Sequence, residues 1–207
     1  MEVRPSFRRV IALCYIIILI LLISIVQSER PENQLARVMS GRSSSSFAPR
    51  PPKPRMIFIP ALALSAPVDD VGIASDGTMD LPKDPARAGW FSLGFRPGEK
   101  GNAVISGHID TPGAGKGIFW ALHRLKPGDE IIVLDETENG TRFIVKNMEN
   151  YKEEESPLEA IFGKSGKQRL NLITCSGKWN VGRGMYDRRL VVYAEVDEEL
   201  EPVHDLH

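Results

Sequence analysis

Cys175 stands at the end of an apolar, strand-like segment, where a thiol can be chemically active. It follows the residues "LNLIT" and is followed by Ser176 and Gly177, which are expected to end the strand. Structural cysteines usually lie within a strand and are inert, whereas the last position of a strand places the sulfur at a rim. The position therefore favours a functional thiol over an incidental one.

His108 has a similar setting. It follows the strand-like segment "NAVIS" and a glycine, and it opens a glycine-rich loop. Catalytic and binding groups concentrate on such loops, although a histidine with a purely local role is an equal alternative. Of the other histidines, His123 is expected to be a surface or half-buried structural residue. His204 and His207 are expected to be solvated in a polar tail.

A thiol that performs acyl transfer needs a nearby base or cation and a donor for the developing oxyanion. His108 could supply the first, and two arginines, Arg188 and Arg189, could supply the second. Both lie at the start of the last strand-like segment, where successive side chains point to opposite faces. At most one of these arginines can therefore point at the thiol.

The elements that must position these groups are predominantly strands. Short apolar segments alternate with Gly- and Pro-containing turns, a pattern typical of an all-β barrel that is closed or partly closed. Only residues 117–125 indicate a helical turn, with Phe119, Leu122 and Leu125 on one face. The predicted strands are 56–60, 66–73, 102–108, 129–134, 141–151, 169–175 and 188–196.

The N-terminus predicts a membrane anchor. The 17 residues from Val10 to Val26 carry no charge, and about 20 apolar residues cross a bilayer. A cleaved signal peptide is the alternative, but the run is long and lacks a small-x-small cleavage site. Adjacent arginines before the run favour a cytoplasmic N-terminus and an extracellular domain. We therefore divide the chain into a cytoplasmic start (1–9), a transmembrane signal-anchor (10–27), a flexible tether (28–55), a catalytic domain (56–198) and an acidic tail (199–207).

This topology makes the cysteine content informative. Cys14 lies in the predicted anchor and Cys175 in the soluble domain, so the two cannot form an intramolecular disulfide. An unpaired cysteine in an exported domain is unusual, because oxidising compartments favour pairing. It indicates a reactive thiol or an intermolecular bridge.

Charge excludes some classes of partner. The formal net charge is −1, which gives no reason to expect a nucleic acid. The tether holds six basic and two acidic residues, so it could lie against an anionic membrane surface or serve only as a solubilising linker. The acidic run 152–156 could contribute to a calcium site, but we expect a solvated loop there, and we expect neither a metal nor a cofactor.

Three motifs occur in a defined order: "VISGH" with His108, "LITCSG" with Cys175 and "RRLVVYA" with Arg188 and Arg189. Together with "GWFSLGFRPGEKGNAVISGHIDT" and "LKPGDEI", they resemble the sortase family, the membrane-anchored cysteine transpeptidases of Gram-positive bacteria. The resemblance extends over residues 56–196, and it is closest to class D, E or F without a choice among them.

The resemblance implies an eight-stranded β-barrel and a role for each residue. Cys175 would attack a backbone carbonyl in an LPXTG-like sorting signal. His108 would protonate the leaving amine and then deprotonate the incoming one. Arg189, or Arg188 if the register differs by one, would hold the signal and stabilise the oxyanion. Thr174 corresponds to the family's threonine before the cysteine and would make a supporting contact with the substrate.

The partners implied by the resemblance are the sorting signal of a secreted surface protein and an amine acceptor, such as a cell-wall precursor or a pilin. The enzyme would be a single-pass membrane protein with its catalytic domain outside the cell. Two other functions stay open at this point. One is a thiol hydrolase on the same fold, and the other is a non-catalytic, membrane-tethered binding module, which the Cys, His and Arg set disfavours.

Overall fold

The computed structural model describes residues 50–75, 77–111 and 115–197. No helix in these ranges is long and apolar enough to cross a membrane. The predicted cytoplasmic start, the anchor at 10–27, most of the tether and the acidic tail lie outside the described residues.

Eight strands form a closed barrel, which confirms the predicted all-β class and the strand number. Their order around the barrel is β1-β2-β3-β4-β9-β10-β8-β7, and β7 closes the barrel by pairing with β1. β5 and β6 form a separate two-stranded sheet. The strands are β1 (Pro54–Ile59), β2 (Leu64–Val71), β3 (Ala88–Phe91), β4 (Gly101–Ser106), β5 (Asp110–Thr111), β6 (Gly115–Lys116), β7 (Glu130–Asp135), β8 (Gly140–Lys152), β9 (Gln168–Asn180) and β10 (Met185–Val196).

Alternation along the strands fills the barrel with apolar side chains. On β9, Leu170 and Leu172 join the main core, as Leu190 and Val192 do on β10. The intervening residues point to the outer face. Packing these side chains together inside the barrel removes large aliphatic and aromatic groups from water, which is the dominant favourable contribution to folding.

A short helix covers part of the outer face of the barrel. This helix, α1 (Leu158–Phe162), packs Ile161 against Val104 of β4 and Val191 of β10. The amide of Asn171, which is fully buried, donates to the carbonyl of Ile161 at 2.7 Å. Because α1 covers β4 from outside, every residue of β4 is buried. Its two polar side chains, Asn102 and Ser106, donate to the backbone carbonyls of Gly163 and Gly89.

Local differences from the predicted elements have identifiable causes. The predicted helical turn at 117–125 is a 3-10 turn at Leu122–Arg124, and its apolar residues are buried as expected. β3 was not predicted, because four residues are too few to show an alternating pattern. α1 was not predicted either, since five residues give little more than one helical turn.

The predicted end of the cysteine strand is wrong. β9 continues past Cys175 to Asn180 and pairs with the start of β10. Gly177 has a φ of 82° and lies where the register with β10 shifts. A glycine with positive φ at such a shift is typical of a β-bulge, so this glycine bends the strand and does not end it. The β9–β10 hairpin therefore extends beyond the thiol.

Candidate active site

Two neighbouring strands and the end of a third converge on Cys175. β4 runs parallel to β9, and its last paired residue is Ser106, opposite Ile173. His108 follows the end of β4 by two residues, as Cys175 follows Ile173, so the chain after β4 leads His108 toward Cys175. β10 runs antiparallel to β9 with Arg189 directly opposite Cys175. Directly opposed residues point to the same face of a sheet. The arrangement therefore places a thiol opposite a guanidinium, at the strand end from which the chain continues to His108.

Thr174 fastens the end of β4 to β9. Its side chain is 3% exposed, and its hydroxyl donates to the carbonyl of Gly107 at 2.8 Å. The Gly107 amide in turn donates to the carbonyl of Ile173. In this structure the hydroxyl contacts the strand end that carries His108 and does not face the open site.

A hydrogen bond holds the ring of His108, and the glycine before it lets the chain pack closely. Its Nε2 lies 2.8 Å from the carbonyl oxygen of Pro82. Because a carbonyl oxygen only accepts, Nε2 carries the proton in this contact, and Nδ1 is the unprotonated nitrogen of the neutral ring. Gly107 has no side chain to displace, and a Cβ there would lie 2.6 Å from the ring of Phe119. A glycine before His108 is therefore required for the loop to pack.

Arg189 and Arg188 have different surroundings. The guanidinium of Arg189 donates to Glu153 at 2.5 Å and to the carbonyl oxygen of Tyr186 at 2.9 Å. Arg188 lies opposite Ser176 and donates to the carbonyl of Asn150. Alternation thus places Arg189, and not Arg188, on the face of Cys175.

The prediction of a solvated loop at 152–156 is wrong for Glu153. Glu153 begins a 3-10 turn and binds both Arg189 and Arg183. Only 19% of its side chain is exposed, whereas Glu154 and Glu155 are largely exposed. The acidic run therefore holds the arginine that lies beside the thiol.

The surroundings of Cys175 favour its protonated form. Burial raises the pKa of the Cys175 thiol above its ordinary value, Arg189 opposes that rise, and Glu153 and Asp110 add to it. Desolvation disfavours a charged thiolate, and nearby carboxylates do the same. These contributions favour the thiol over the thiolate, so that a nearby base assists the attack of the sulfur.

An aromatic groove, which the sequence did not reveal, lies beyond the thiol. Its volume is about 480 Å³, and it is lined by Asp110, Lys116, Trp120, Trp179 and Tyr186, together with Thr111 and Gly115. The Tyr186 hydroxyl donates to Asp110 at 2.5 Å. The groove joins the start of the loop after His108 to the extension of the β9–β10 hairpin. The unpredicted extension explains why the sequence alone did not place these residues together.

Comparison with known proteins adds a family. A family model for the sortase domain matches residues 57–197. Solved structures with the same fold include sortase A from Corynebacterium diphtheriae (lid mutant), with 22% identity, 77% coverage of each chain and a TM-score of 0.56. Sortase C-1 from Actinomyces oris has 24% identity, a TM-score of 0.54 and coverage of 69% of this chain and 71% of that chain. No curated protein sequence matches the chain.

Proposed function

This chain belongs to the sortase family of cysteine transpeptidases, and on that premise we propose that it cleaves an LPXTG-like sorting signal through a thioester on Cys175. The acyl group then passes to an amine. The pairing of Cys175 with Arg189, at the end of the parallel β4–β9 pair from which the chain leads to His108, is the observation that supports this reaction. The expected fate of the product is a surface protein joined to the cell wall, or a pilin joined to its neighbour.

In the first half of the reaction the thiol proton moves to His108 as the sulfur attacks the scissile carbonyl carbon. The carbonyl oxygen becomes an oxyanion, and Arg189 stabilises it with guanidinium N–H donors. His108 then gives its proton to the leaving amine as the C–N bond breaks. The products are a thioester on Cys175 and a free amine.

In the second half the acceptor amine attacks the thioester. His108, now neutral, removes a proton from the attacking nitrogen and gives it to the sulfur as the C–S bond breaks, which restores the thiol and the neutral imidazole. A thioester retains the free energy of the cleaved peptide bond in reactive form, so that the transfer needs no separate energy source. Splitting one difficult step into two is the general advantage of covalent catalysis.

Glu153 and Thr174 contribute to the reaction by positioning Arg189 and His108. Glu153 holds the guanidinium of Arg189 beside the sulfur, and Thr174 fixes the strand end that carries His108. For Thr174 we propose this positioning role in place of the expected contact with the substrate, because its hydroxyl already donates to the carbonyl of Gly107.

We propose the location of the enzyme from the sequence alone. A single-pass anchor at 10–27 would hold the domain on the extracellular side, and the tether would let it reach substrates that are themselves held at the membrane. Protease accessibility of the domain in intact cells tests this orientation. Protection of the domain in intact cells would contradict it.

The test of function uses the full chain in detergent with a panel of LPXTG-type peptides, with and without a primary amine. We expect cleavage that depends on Cys175 and an amide product when the amine is present. Absence of cleavage across the panel, or unchanged cleavage by Cys175→Ala, would overturn the enzyme proposal. Cleavage without amine incorporation would favour a thiol hydrolase on the same fold.

A further inference from the structure

The aromatic groove combines the two kinds of group that bind an ammonium ion. Trp120 and Trp179 are exposed to 40% and 47%, unlike the core tryptophan Trp90 at 1%. Asp110 adds a carboxylate to the same lining. Aromatic faces attract cations through their quadrupole, and a carboxylate attracts them through its charge. Such a set is typical of a site for a primary ammonium group.

An ammonium group from the protein itself already lies on one of these rings. The Nζ of Lys116 lies over the Trp120 ring, 5.1 Å from its centroid. This contact shows that the ring face is accessible to an alkyl ammonium in this groove. Trp179, whose ring contacts Tyr186 edge-on at 5.3 Å, presents a second aromatic surface.

Tyr186 holds the carboxylate of Asp110 in position and leaves it free to accept further hydrogen bonds. Its hydroxyl donates one hydrogen bond to Asp110, and an ionised carboxylate accepts about four. This hydrogen bond raises the pKa of Tyr186 to about 12, so that the hydroxyl remains a donor at any pH at which the enzyme would work. Asp110 can therefore accept hydrogen bonds from a ligand as well.

The groove lies beside the reacting sulfur. Asp110 follows His108 by two residues and accepts a hydrogen bond from Tyr186, whose carbonyl oxygen accepts one from Arg189, the residue opposite Cys175. Trp179 and Tyr186 lie on the two strands that carry Cys175 and Arg189. A nitrogen held at Asp110 would thus be near both the thioester carbon and the base that must deprotonate it.

We propose that the aromatic groove is the acceptor site, and that Asp110 with Trp120 and Trp179 binds the ammonium form of the incoming amine. The inference rests on the proposed transpeptidase function. The bound ammonium loses one proton to His108 and attacks the thioester carbon. The C–S bond then breaks, and the sulfur takes the second proton. The products are a secondary amide, a Cys175 thiol and a protonated His108, so that atoms and charges balance.

The test separates the two halves of the reaction. Full-length protein in detergent is mixed with an LPXTG-type peptide, and release of the leaving fragment measures acylation. The ratio of amide to hydrolysed product is then followed against acceptor concentration. Acceptors are Nα-acetyl-lysine amide and glycine amide, which carry side-chain and α-amines, and hydroxylamine, which is neutral at neutral pH.

For Asp110→Asn we expect the acceptor concentration at half-maximal amide formation to rise about tenfold with the charged amines, the usual effect of losing a charge-assisted hydrogen bond. Because Asp110 also raises the pKa of Cys175, acylation is expected to change as well. The readout is therefore the product ratio, which with neutral hydroxylamine should change less than about threefold. Lys116→Gln should shift the same concentration in the opposite direction, because a competing cation is removed. Asp70→Asn, a carboxylate on β2 paired with Lys53, is the matched control and should behave as wild type.

Whichever charged amine the wild type uses at lower concentration identifies the source of the acceptor. Equal use of charged amines by Asp110→Asn and wild type would overturn the acceptor site while leaving the transpeptidase proposal intact. An equal shift of the product ratio with hydroxylamine and with the charged amines would also overturn it, because the effect of Asp110 would then not depend on the ammonium charge. Failure of the wild type to release the leaving fragment would overturn the underlying function.

A binding measurement gives an answer that does not depend on turnover. The protein has three tryptophans, and two of them line the aromatic groove. In Cys175→Ala, Nα-acetyl-lysine amide should change the tryptophan fluorescence in a saturable way. The added Asp110→Asn change should weaken this binding about tenfold. Equal binding with and without Asp110 would contradict the site.

Discussion

The paired strands β9 and β10 have a glutamate with two basic partners near each end, but only one of these clusters adjoins a thiol. At one end Glu195 binds Lys167 and Arg169, and at the other Glu153 binds Arg183 and Arg189. Both glutamate side chains are 19% exposed. Burial and charge pairing are thus matched, and what differs is the neighbour on the opposite strand.

That neighbour gives the two clusters different consequences. Arg169 lies opposite Glu195, its own ion-pair partner, so that its charge is used within the pair. Arg189 lies opposite Cys175, where its charge lowers the thiol pKa while Glu153 raises it. The same ion-pair chemistry therefore contributes to stability at one end and controls a reactive group at the other.

Among substitutions in the two clusters, Arg189→Ala should have the largest effect on activity. We expect kcat/KM for a sorting-signal peptide to fall about 100- to 1000-fold, as for loss of an oxyanion donor. Arg169→Ala removes the matched arginine at the other end and should change kcat/KM less than about threefold. Steady-state cleavage kinetics, with circular dichroism to verify folding, measure both.

Arg188→Ala separates the two adjacent arginines. Its side chain lies opposite Ser176 and bonds to Asn150, so that it should resemble Arg169→Ala. A loss as large as that of Arg189→Ala would mean that the register of β10 differs from the one described.

Glu153→Gln should have a smaller effect on activity, about tenfold in kcat/KM, because Arg189 loses the charged partner that orients it. Glu195→Gln makes the same chemical change at the other end and should leave kcat/KM within about twofold. Peptide cleavage assays at one pH compare the pair. Equal losses in the two variants would remove the functional distinction between the ends.

The pH dependence of thiol alkylation should distinguish the ends further. A carboxylate near a thiol disfavours the thiolate, so Glu153→Gln should lower the pKa of Cys175, and Arg189→Ala should raise it. Rates of reaction with iodoacetamide, measured against pH, report the thiolate fraction. Glu195→Gln should leave the curve unchanged. An upward shift in Glu153→Gln would show that the carboxylate acts mainly by holding Arg189.

The smallest expected effect is on stability, and it concerns Glu195 and not the glutamate beside the thiol. Lys167 and Arg169 lower the pKa of Glu195, so this group stabilises the fold above its unfolded pKa, and the contribution is lost as pH falls through its folded pKa. Glu195→Gln should cost at most about 1 kcal/mol at neutral pH. Urea unfolding at neutral and acidic pH tests this: the difference from wild type should shrink on acidification.

Much of the barrel follows from local sequence. Each of the seven predicted strands corresponds to a strand of the barrel, because period-2 alternation reflects a buried and an exposed face. The missing strand, β3, and the helix α1 are too short for periodicity to show. Their formation depends on neighbours distant in the sequence, such as the pairing of β3 with β2 and β4.

The site was predictable only in part, for a similar reason. Cys175, His108 and Arg189 stand out by residue type and by position near the ends or starts of the predicted strands, although β9 continues past Cys175 and β10 begins before Arg189. Glu153 does not, because its partners Arg183 and Arg189 are about 30 residues or more away in sequence. The aromatic groove depends on the continuation of β9 beyond Gly177, and a glycine signals a turn and a bulge equally well.

The most direct test of the central claim is intact-mass analysis of the full chain during reaction with an LPXTG-type peptide. The account predicts an added mass equal to the acyl fragment, located on Cys175 by digestion, removed by hydroxylamine and absent in Cys175→Ala. Cleavage of the peptide with no acyl adduct, or with an adduct on another residue, would contradict it.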